Sequence, residues 1–175
     1  DTHLCVPLQG SGTFVVEAAL CTLIPREGKA LILINGAYGH RMGKILDYAG
    51  RSYITQETPE DQPPSIDALD QALTDDPNIS HVLTVHCETT SGILNPVEEI
   101  VHTVKAHDRV VIVDAMSAFG AIALDAAQVP FDAIMASSNK CLEGVPGMGF
   151  ALIRESVLAT CEGNSHSLSL DLYDQ

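Results

Sequence analysis

Four short apolar runs, each followed by a polar or glycine-containing loop, constrain the fold of this chain more than any other feature. The runs cover residues 29–34, 81–86, 109–113 and 131–135. Their apolar residues are nearly continuous rather than alternating with polar ones, which is typical of strands buried on both faces of a parallel sheet. Helical patterns separate the first three runs, and a less regular stretch precedes the fourth. The sequence therefore predicts an α/β fold in three layers, a mostly parallel sheet with helices on both faces.

The helical patterns have recognisable starts and ends. Helices are predicted from residues 10–13 to 24, from about 41 to 48, from 65 to 73 and from 96 to 107. Ser65 is placed to cap the third helix, Pro96 to occupy the first turn of the fourth, and Gly50 to follow the second. A loop is predicted over residues 35–40. No shift in composition divides the chain, so residues 1–175 are expected to form one domain.

Composition excludes several classes of protein. Hydrophobic residues make up 46% of the chain and charged residues 18%, as in a globular domain with a large apolar core. The net charge of −14 argues against a nucleic-acid partner, because no basic patch can replace the counterions of a phosphate backbone. No apolar run has the length of a membrane span. Five widely spaced cysteines without a CxxC pair indicate reduced thiols in the cytoplasm and no zinc site, so no metal is expected.

Lys140 is one of four lysines and lies between an apolar run and a Gly/Pro-rich loop. At the end of a buried strand, an ammonium group costs free energy unless it is paired or loses its proton. Lysines in such surroundings are the usual nucleophiles of Schiff-base chemistry. The alternative is an ordinary surface lysine in a loop. On this pattern alone, both interpretations of Lys140 stay open.

The polar residues of the loops are expected to meet in one crevice, because open α/β sheets bind ligands at the carboxyl ends of their strands. The candidates are Gly12, Thr13, Tyr38, Thr89, Asp114, Asn139 and Lys140. An anion site at a helix start, an aromatic face, a carboxylate and a lysine suit a charged heteroaromatic ring with a phosphate tail. This set of groups favours pyridoxal 5'-phosphate as the cofactor.

Plainer roles are open for several of these residues. Tyr38 can be a core residue, Thr89 a loop cap, and Asp114 the N-cap of the segment that follows it. The Gly-Ser-Gly-Thr segment can be an ordinary helix cap instead of an anion site. His86 is expected in the same crevice, either as a hydrogen-bonded wall or as an acid–base group.

Three motifs together carry a family resemblance. They are Gly-Ser-Gly-Thr at 10–13, Asp-Ala-Met-Ser-Ala-Phe-Gly at 114–120 and Ser-Ser-Asn-Lys-Cys-Leu-Glu-Gly-Val-Pro-Gly at 137–147. They resemble the class V, fold-type-I aminotransferases, which use pyridoxal phosphate. The segment at 86–96, His-Cys-Glu-Thr-Thr-Ser-Gly-Ile-Leu-Asn-Pro, is most similar to the branch that transfers the amino group of 2-aminoethylphosphonate to pyruvate, giving phosphonoacetaldehyde and alanine. Another class V enzyme, of the serine– or alanine–glyoxylate type, and a non-catalytic α/β binding module are the alternatives.

The resemblance implies two catalytic residues. Lys140 is expected to form the Schiff base with the cofactor and then to move a proton during the transfer. Asp114 is expected to pair with the pyridine nitrogen. An acidic residue that closes a buried strand needs a cationic partner, which makes Asp114 well suited to this role.

The resemblance also assigns contacts with the rest of the cofactor. Tyr38 is expected to stack on the ring, and Thr89 to hydrogen-bond the edge that carries the 3-hydroxyl group. Gly12 and Thr13, with help from Asn139, are expected to hold the phosphate at the helix start.

Partners and missing parts follow from the same resemblance. Members of the family are homodimers whose active site is completed by the neighbouring subunit. They also have an N-terminal segment and a C-terminal small domain, which supplies the arginine for the substrate carboxylate. We therefore expect residues 1–175 to be an incomplete cofactor-binding large domain.

Overall fold

The computed structural model describes residues 2–175. In chain order the elements are β1 (His3–Gln9), α1 (Gly12–Leu23), β2 (Lys29–Ile34), α2 (Ala37–Ala49), β3 (Ser52–Glu57), α3 (Ile66–Asp75), β4 (Ile79–Val85), β5 (Cys87–Glu88), β6 (Ile93–Leu94), α4 (Val97–Ala106), β7 (Val110–Asp114), β8 (Ala133–Ser137), β9 (Met148–Arg154) and α5 (Glu155–Leu158). A short 3-10 helix (Leu168–Leu170) follows.

A seven-stranded sheet organises the molecule, with the strand order β1-β9-β8-β7-β4-β2-β3. Strands β8, β7, β4, β2 and β3 run parallel to one another. β9 is antiparallel to β8, and β1 is antiparallel to β9, so the antiparallel pairs lie at one edge. The prediction of a mostly parallel sheet is confirmed. Of the predicted strands, β2 has the predicted bounds, and β4 begins two residues before the predicted start.

The two faces of the sheet bury separate cores. Along β2, Ile32 faces the core formed with α1 and α2, whereas Leu31 and Leu33 face the core formed with α3 and α4. Successive residues of a strand point to opposite faces, so a run without polar residues can supply both cores. The predicted three-layer arrangement is confirmed.

The starts of two helices differ from the sequence-based prediction. α2 begins at Ala37, within the predicted loop over 35–40, rather than at residue 41. α4 begins at Val97, with Pro96 as its N-cap rather than in its first turn. Ser65 caps α3 as predicted, since its Oγ accepts a hydrogen bond from the Ala68 N–H at 3.3 Å. Gly50 follows α2 in the left-handed conformation (φ 64°), also as predicted.

Three further features bear on the sequence-based expectations. Within residues 2–175, no helix combines the length and the apolar character needed to cross a membrane. The same residues contain no group of three or more His, Cys, Asp or Glu side chains placed to hold a metal ion. The five cysteines are free thiols.

Candidate active site

A cavity of about 240 Å³ lies at the carboxyl ends of the parallel strands. It is lined by all seven residues that the sequence singles out, which are Gly12, Thr13, Tyr38, Thr89, Asp114, Asn139 and Lys140. β7 supplies the carboxylate, the loop after β8 supplies the lysine, and α1 and α2 contribute their first turns. The sheet therefore gathers residues that are up to 128 positions apart in the chain. Their roles stay predictions.

The start of α1 forms one wall of the cavity. Ser11 is its N-cap residue, yet the Ser11 side chain makes no capping hydrogen bond. A Cβ atom added to Gly12 would lie 2.8 Å from the Met116 Sδ, so a larger residue would displace Met116. The first N–H groups of a helix have no partner within the helix and lie at the positive end of its dipole. This wall is therefore suited to an anion.

Asp114 is the last residue of β7 and is only 3% exposed. Burial raises the pKa of its carboxyl group to about 6, against the smaller opposing effect of the Met116 N–H, which donates to Oδ1 at 3.0 Å. Within residues 2–175 no Lys, Arg or His forms a salt bridge with it. The cationic partner expected for Asp114 is therefore not a side chain of the described residues.

Lys140 lines the cavity but is exposed, so of the two interpretations that the sequence leaves open, the lysine buried at a strand end is wrong. β8 ends at Ser137, three residues earlier, and the chain then turns away from the sheet. Hydrogen bonds close this turn: the Ser138 Oγ donates to the Val145 carbonyl at 2.6 Å, and the Gly144 N–H donates to the Ser138 carbonyl at 2.7 Å. The loop is thus fixed while the Lys140 side chain stays accessible.

Arg41 lines the cavity as well, although no sequence motif indicates it as a site residue. Its guanidinium carbon lies 5.1 Å from the centroid of the Tyr38 ring, and its Nη1 donates to the Thr13 Oγ1 at 3.1 Å. Tyr38 and Arg41 are three residues apart in α2 and therefore share a helix face. That signal was hidden because the helix was predicted to begin at residue 41.

Two serines and a methionine of the cavity were also missed. The Thr89 Oγ1 and the Ser117 Oγ are 2.5 Å apart and share a hydrogen bond. The Ser137 Oγ is buried at the cavity wall and has no hydrogen-bond partner in the described residues. Met116 contacts the α1 start. Ser117 and Ser137 belong to the two longer motifs of the sequence, so their positions there were the available signal.

His86 does not line this cavity, so the expectation that it lies in the same crevice is wrong. It lines a separate, largely apolar cavity of about 280 Å³ with Phe119 and Phe131 among its neighbours. Its Nδ1 is buried without a hydrogen-bond partner in the described residues, and burial lowers the pKa of the ring. A neutral His86 ring that faces an apolar cavity is suited to forming part of the cavity wall and not to acid–base chemistry at the candidate site.

The fold is that of solved aminotransferases. The structure of pyridoxamine-pyruvate aminotransferase from Mesorhizobium loti is similar with a TM-score of 0.89 and 28% identity, over 95% of this chain and 43% of that one. Alanine–glyoxylate aminotransferase from Nostoc sp. has a TM-score of 0.89 at 21% identity, over 97% of this chain and 45% of that one. At 21% identity, the similarity to the Nostoc protein concerns the fold alone.

The family is shown by the sequence itself. The model of the family "Aminotransferase class-V" matches residues 53–167, and this chain belongs to that family. A protein of Pseudomonas putida (strain KT2440) named 2-aminoethylphosphonate–pyruvate transaminase is 58% identical over 100% of this chain and 48% of its own length. A protein of the same name from Pseudomonas aeruginosa is 57% identical over 99% of this chain and 47% of its own length. The chain thus spans about half the length of these curated relatives.

Proposed function

We propose that residues 1–175 are the cofactor-binding part of a pyridoxal-phosphate-dependent transaminase. The proposed reaction transfers the amino group of 2-aminoethylphosphonate to pyruvate and gives phosphonoacetaldehyde and alanine. The observation that carries the proposal is the shared cavity of Asp114, Lys140 and the α1 start. It combines a buried carboxylate, an accessible primary amine and an anion-binding helix end, which are the groups that the ring nitrogen, the aldehyde and the phosphate of the cofactor require.

The choice of substrates is supported by the relatives. Eight proteins that are 56–58% identical to this chain share the name 2-aminoethylphosphonate–pyruvate transaminase. Two glyoxylate aminotransferases of known structure are 24% and 21% identical and support the fold alone. The relatives that are 56–58% identical therefore favour 2-aminoethylphosphonate as the amino donor and pyruvate as the acceptor.

Three observations test whether the cofactor fits the cavity. The Asp114 carboxyl group is buried and, within residues 2–175, forms no salt bridge, as a site for a protonated ring nitrogen would be. The Ser137 Oγ is buried at the cavity wall without a partner and can donate to a ligand. Gly12 leaves the helix start open, since a Cβ there would meet Met116. The residues present fit the group.

Two side chains of this chain have chemical roles in the proposal. When bound, the cofactor supplies an electron-poor ring that accepts electron density from the carbon losing its proton. Asp114 holds the proton on the ring nitrogen, since a carboxylate at that position favours the charged form. Lys140 would hold the cofactor's aldehyde carbon through Nζ, and its amine would serve as the base that takes up the proton lost from the donor's carbon.

The remaining contacts orient the cofactor. We assign the ring face to Tyr38 and the 3-hydroxyl edge to Thr89, whose Oγ1 already shares a hydrogen bond with Ser117. The α1 start, through Gly12 and Thr13, would hold the phosphate with help from Asn139, which lines the same cavity. Because Arg41 donates to the Thr13 hydroxyl, a cation lies next to the proposed phosphate position.

The proposal includes a homodimer in the cytoplasm with small-molecule substrates. Four exposed apolar side chains, Phe14, Leu142, Val145 and Met148, each lie within two positions of a cavity-lining residue. Exposed apolar surface of this kind is typical of protein interfaces. The excess of acidic residues (23 Asp and Glu against 9 Lys and Arg) supports the absence of a nucleic-acid partner. Analytical ultracentrifugation of the purified protein measures the oligomeric state directly.

Absorbance spectroscopy with pyridoxal phosphate tests the cofactor role. We expect a visible band that borohydride abolishes, and peptide mapping should then locate the stable pyridoxyl group on Lys140. Lys140→Ala should abolish the band, whereas the matched control Lys44→Ala, at an exposed lysine of α2, should keep it. A pyridoxyl group found on another lysine would contradict the assignment, and a protein without any band would favour the binding-module alternative.

The substrates are tested in the same cuvette. Addition of 2-aminoethylphosphonate should convert the spectrum to that of the aminated cofactor, and pyruvate should restore it. Serine and alanine are the matched competing donors, and glyoxylate is the competing acceptor. Faster conversion with serine and restoration by glyoxylate would replace the proposed substrates by those of the glyoxylate type.

A further inference from the structure

The most deeply buried acidic side chain near the site has no role in the reaction proposed above. Glu88 ends the two-residue strand β5 and is 0% exposed. Within residues 2–175 it forms no salt bridge. A buried carboxylate without a cation has to obtain its stabilisation from hydrogen-bond donors.

The donors come from two segments that border the cavity. The Tyr38 N–H donates to the Glu88 Oε2 at 3.3 Å. The Thr90 N–H and the Thr90 hydroxyl donate to the Glu88 Oε1, at 3.3 and 2.8 Å. The Thr90 Oγ1 in turn accepts from the Ala37 N–H at 3.3 Å. Glu88 and Thr90 thus bind the first two N–H groups of α2.

These contacts replace a cap that α2 lacks. Its N-cap residue is Gly36, which has no side chain to accept from the free N–H groups of the first turn. A carboxylate from another segment also lies at the positive end of the helix dipole, where negative charge is stabilising. The cap of α2 is therefore supplied by Glu88 at the end of β5 and by Thr90 in the turn that follows.

The packing reserves space for this arrangement. A Cβ atom added to Gly36 would collide with the Glu88 side chain and would lie 2.7 Å from the Thr90 Oγ1. Glycine at position 36 lets the carboxylate approach the helix start. Asn35 and Asn95 hold the same two segments together with a reciprocal pair of amide hydrogen bonds of 2.8 and 3.1 Å.

We propose that Glu88, acting with Thr90, is a positioning residue that fixes the start of α2 and with it the Tyr38 ring. The Glu88 carboxylate accepts a hydrogen bond from the Tyr38 N–H, and Glu88 precedes Thr89 directly in the chain. Glu88 therefore fixes the positions of both Tyr38, assigned to the ring face, and Thr89, assigned to the 3-hydroxyl edge. The part of the inference that concerns the cofactor rests on the function proposed above. The part that concerns the helix start does not.

Hydrogen exchange of the cofactor-free protein tests the helix start. The variants are Glu88→Gln and Thr90→Val, with Thr90→Ser as the matched control that keeps the hydroxyl group. We expect the Tyr38 amide to exchange about fivefold faster in Glu88→Gln and the Ala37 amide about fivefold faster in Thr90→Val, the usual effect of losing a helix cap. The control should exchange like the wild type, and residues 79–85 of β4 should be unchanged in all of them.

Unchanged exchange at residues 37 and 38 in both Glu88→Gln and Thr90→Val would overturn the proposal. If Glu88→Gln also raises exchange in β4, that variant has lost global stability. The Thr90→Val variant then decides alone, because Thr90 is exposed and its replacement leaves the core intact.

A second readout uses pyridoxal phosphate. The visible circular-dichroism band, which reports the ring's surroundings, should lose intensity in Glu88→Gln and Thr90→Val but not in Thr90→Ser. If the wild type shows no band, the proposed function fails, and the exchange result still decides the role of Glu88.

Discussion

Asp114 shows how a single buried carboxyl group makes the stability of this protein depend on pH. Its pKa is about 6 in the folded protein against the ordinary 3.8, mainly because burial disfavours the charged form. The folded state therefore holds the proton more tightly than the unfolded state does. The stabilisation from Asp114 is complete below the unfolded pKa and is lost as pH rises through the folded pKa.

The variant Asp114→Asn should isolate this effect, since an amide does not titrate. Between about pH 4 and pH 7.5, we expect the free energy of unfolding of the wild type to fall by roughly 2–3 kcal/mol relative to the variant. Urea denaturation of the cofactor-free protein at both pH values measures the difference. A difference that stays constant with pH would show that Asp114 is not perturbed. With pyridoxal phosphate present the pH dependence should shrink, because a cationic ring nitrogen favours the ionised carboxyl.

At the scale of elements, the helices of this protein use serine at their starts in two different ways. Ser65 forms an ordinary helix cap: its Oγ accepts a hydrogen bond from the Ala68 N–H and stabilises α3. Ser11 has the same position before α1 but makes no capping hydrogen bond, and it lines the cavity. The N–H groups of α1 are left available, in keeping with an anion bound there.

Paired substitutions distinguish the two serines. Ser65→Ala should lower the free energy of unfolding by about 1 kcal/mol, the usual effect of losing an N-cap hydrogen bond. Ser11→Ala, the matched control, should change it by less than about 0.5 kcal/mol, since no capping bond is lost. Urea denaturation without cofactor measures both. Equal losses in the two variants would show that Ser11 caps α1 in solution.

At the scale of the whole molecule, Asp132 connects the outer layer to the antiparallel edge of the sheet. Its side chain is 1% exposed and accepts hydrogen bonds from Lys105 of α4 at 2.8 and 3.0 Å and from Arg154 of β9 at 3.1 Å. It also accepts from the Val111 N–H of β7 at 2.9 Å. Three elements, α4, β7 and β9, thus share one buried carboxylate.

Asp132→Ala should therefore destabilise the whole fold. We expect a loss of roughly 3 kcal/mol in the free energy of unfolding, because a buried N–H and two cations lose their acceptor. Asp70→Ala is the matched control: Asp70 pairs with His107 at 2.8 Å, but its side chain is 61% exposed, and exposed pairs contribute less than about 1 kcal/mol. Equal losses in the two variants would contradict a central role for Asp132.

The sequence by itself determined those features of this protein that depend on local signals. The apolar run 29–34 became β2 with unchanged bounds, and Ser65 capped its helix as predicted. The strand–helix rhythm gave the three-layer, mostly parallel fold, and the three motifs gave the family. Parallel strands place their carboxyl ends along one edge, so the loops after them had to meet. All seven candidate residues accordingly line one cavity.

Only the tertiary structure decided the features that depend on contacts between distant segments. The start of α2 at Ala37 could not be predicted, because its cap comes from Glu88 and Thr90, about 50 residues away. For the same reason Arg41 was missed. Nothing local indicated that β1 and β9 would pair antiparallel at the edge of the sheet. Local periodicity fixes which face of an element is apolar, whereas pairing, capping and exposure are set by whatever the folded chain places beside it.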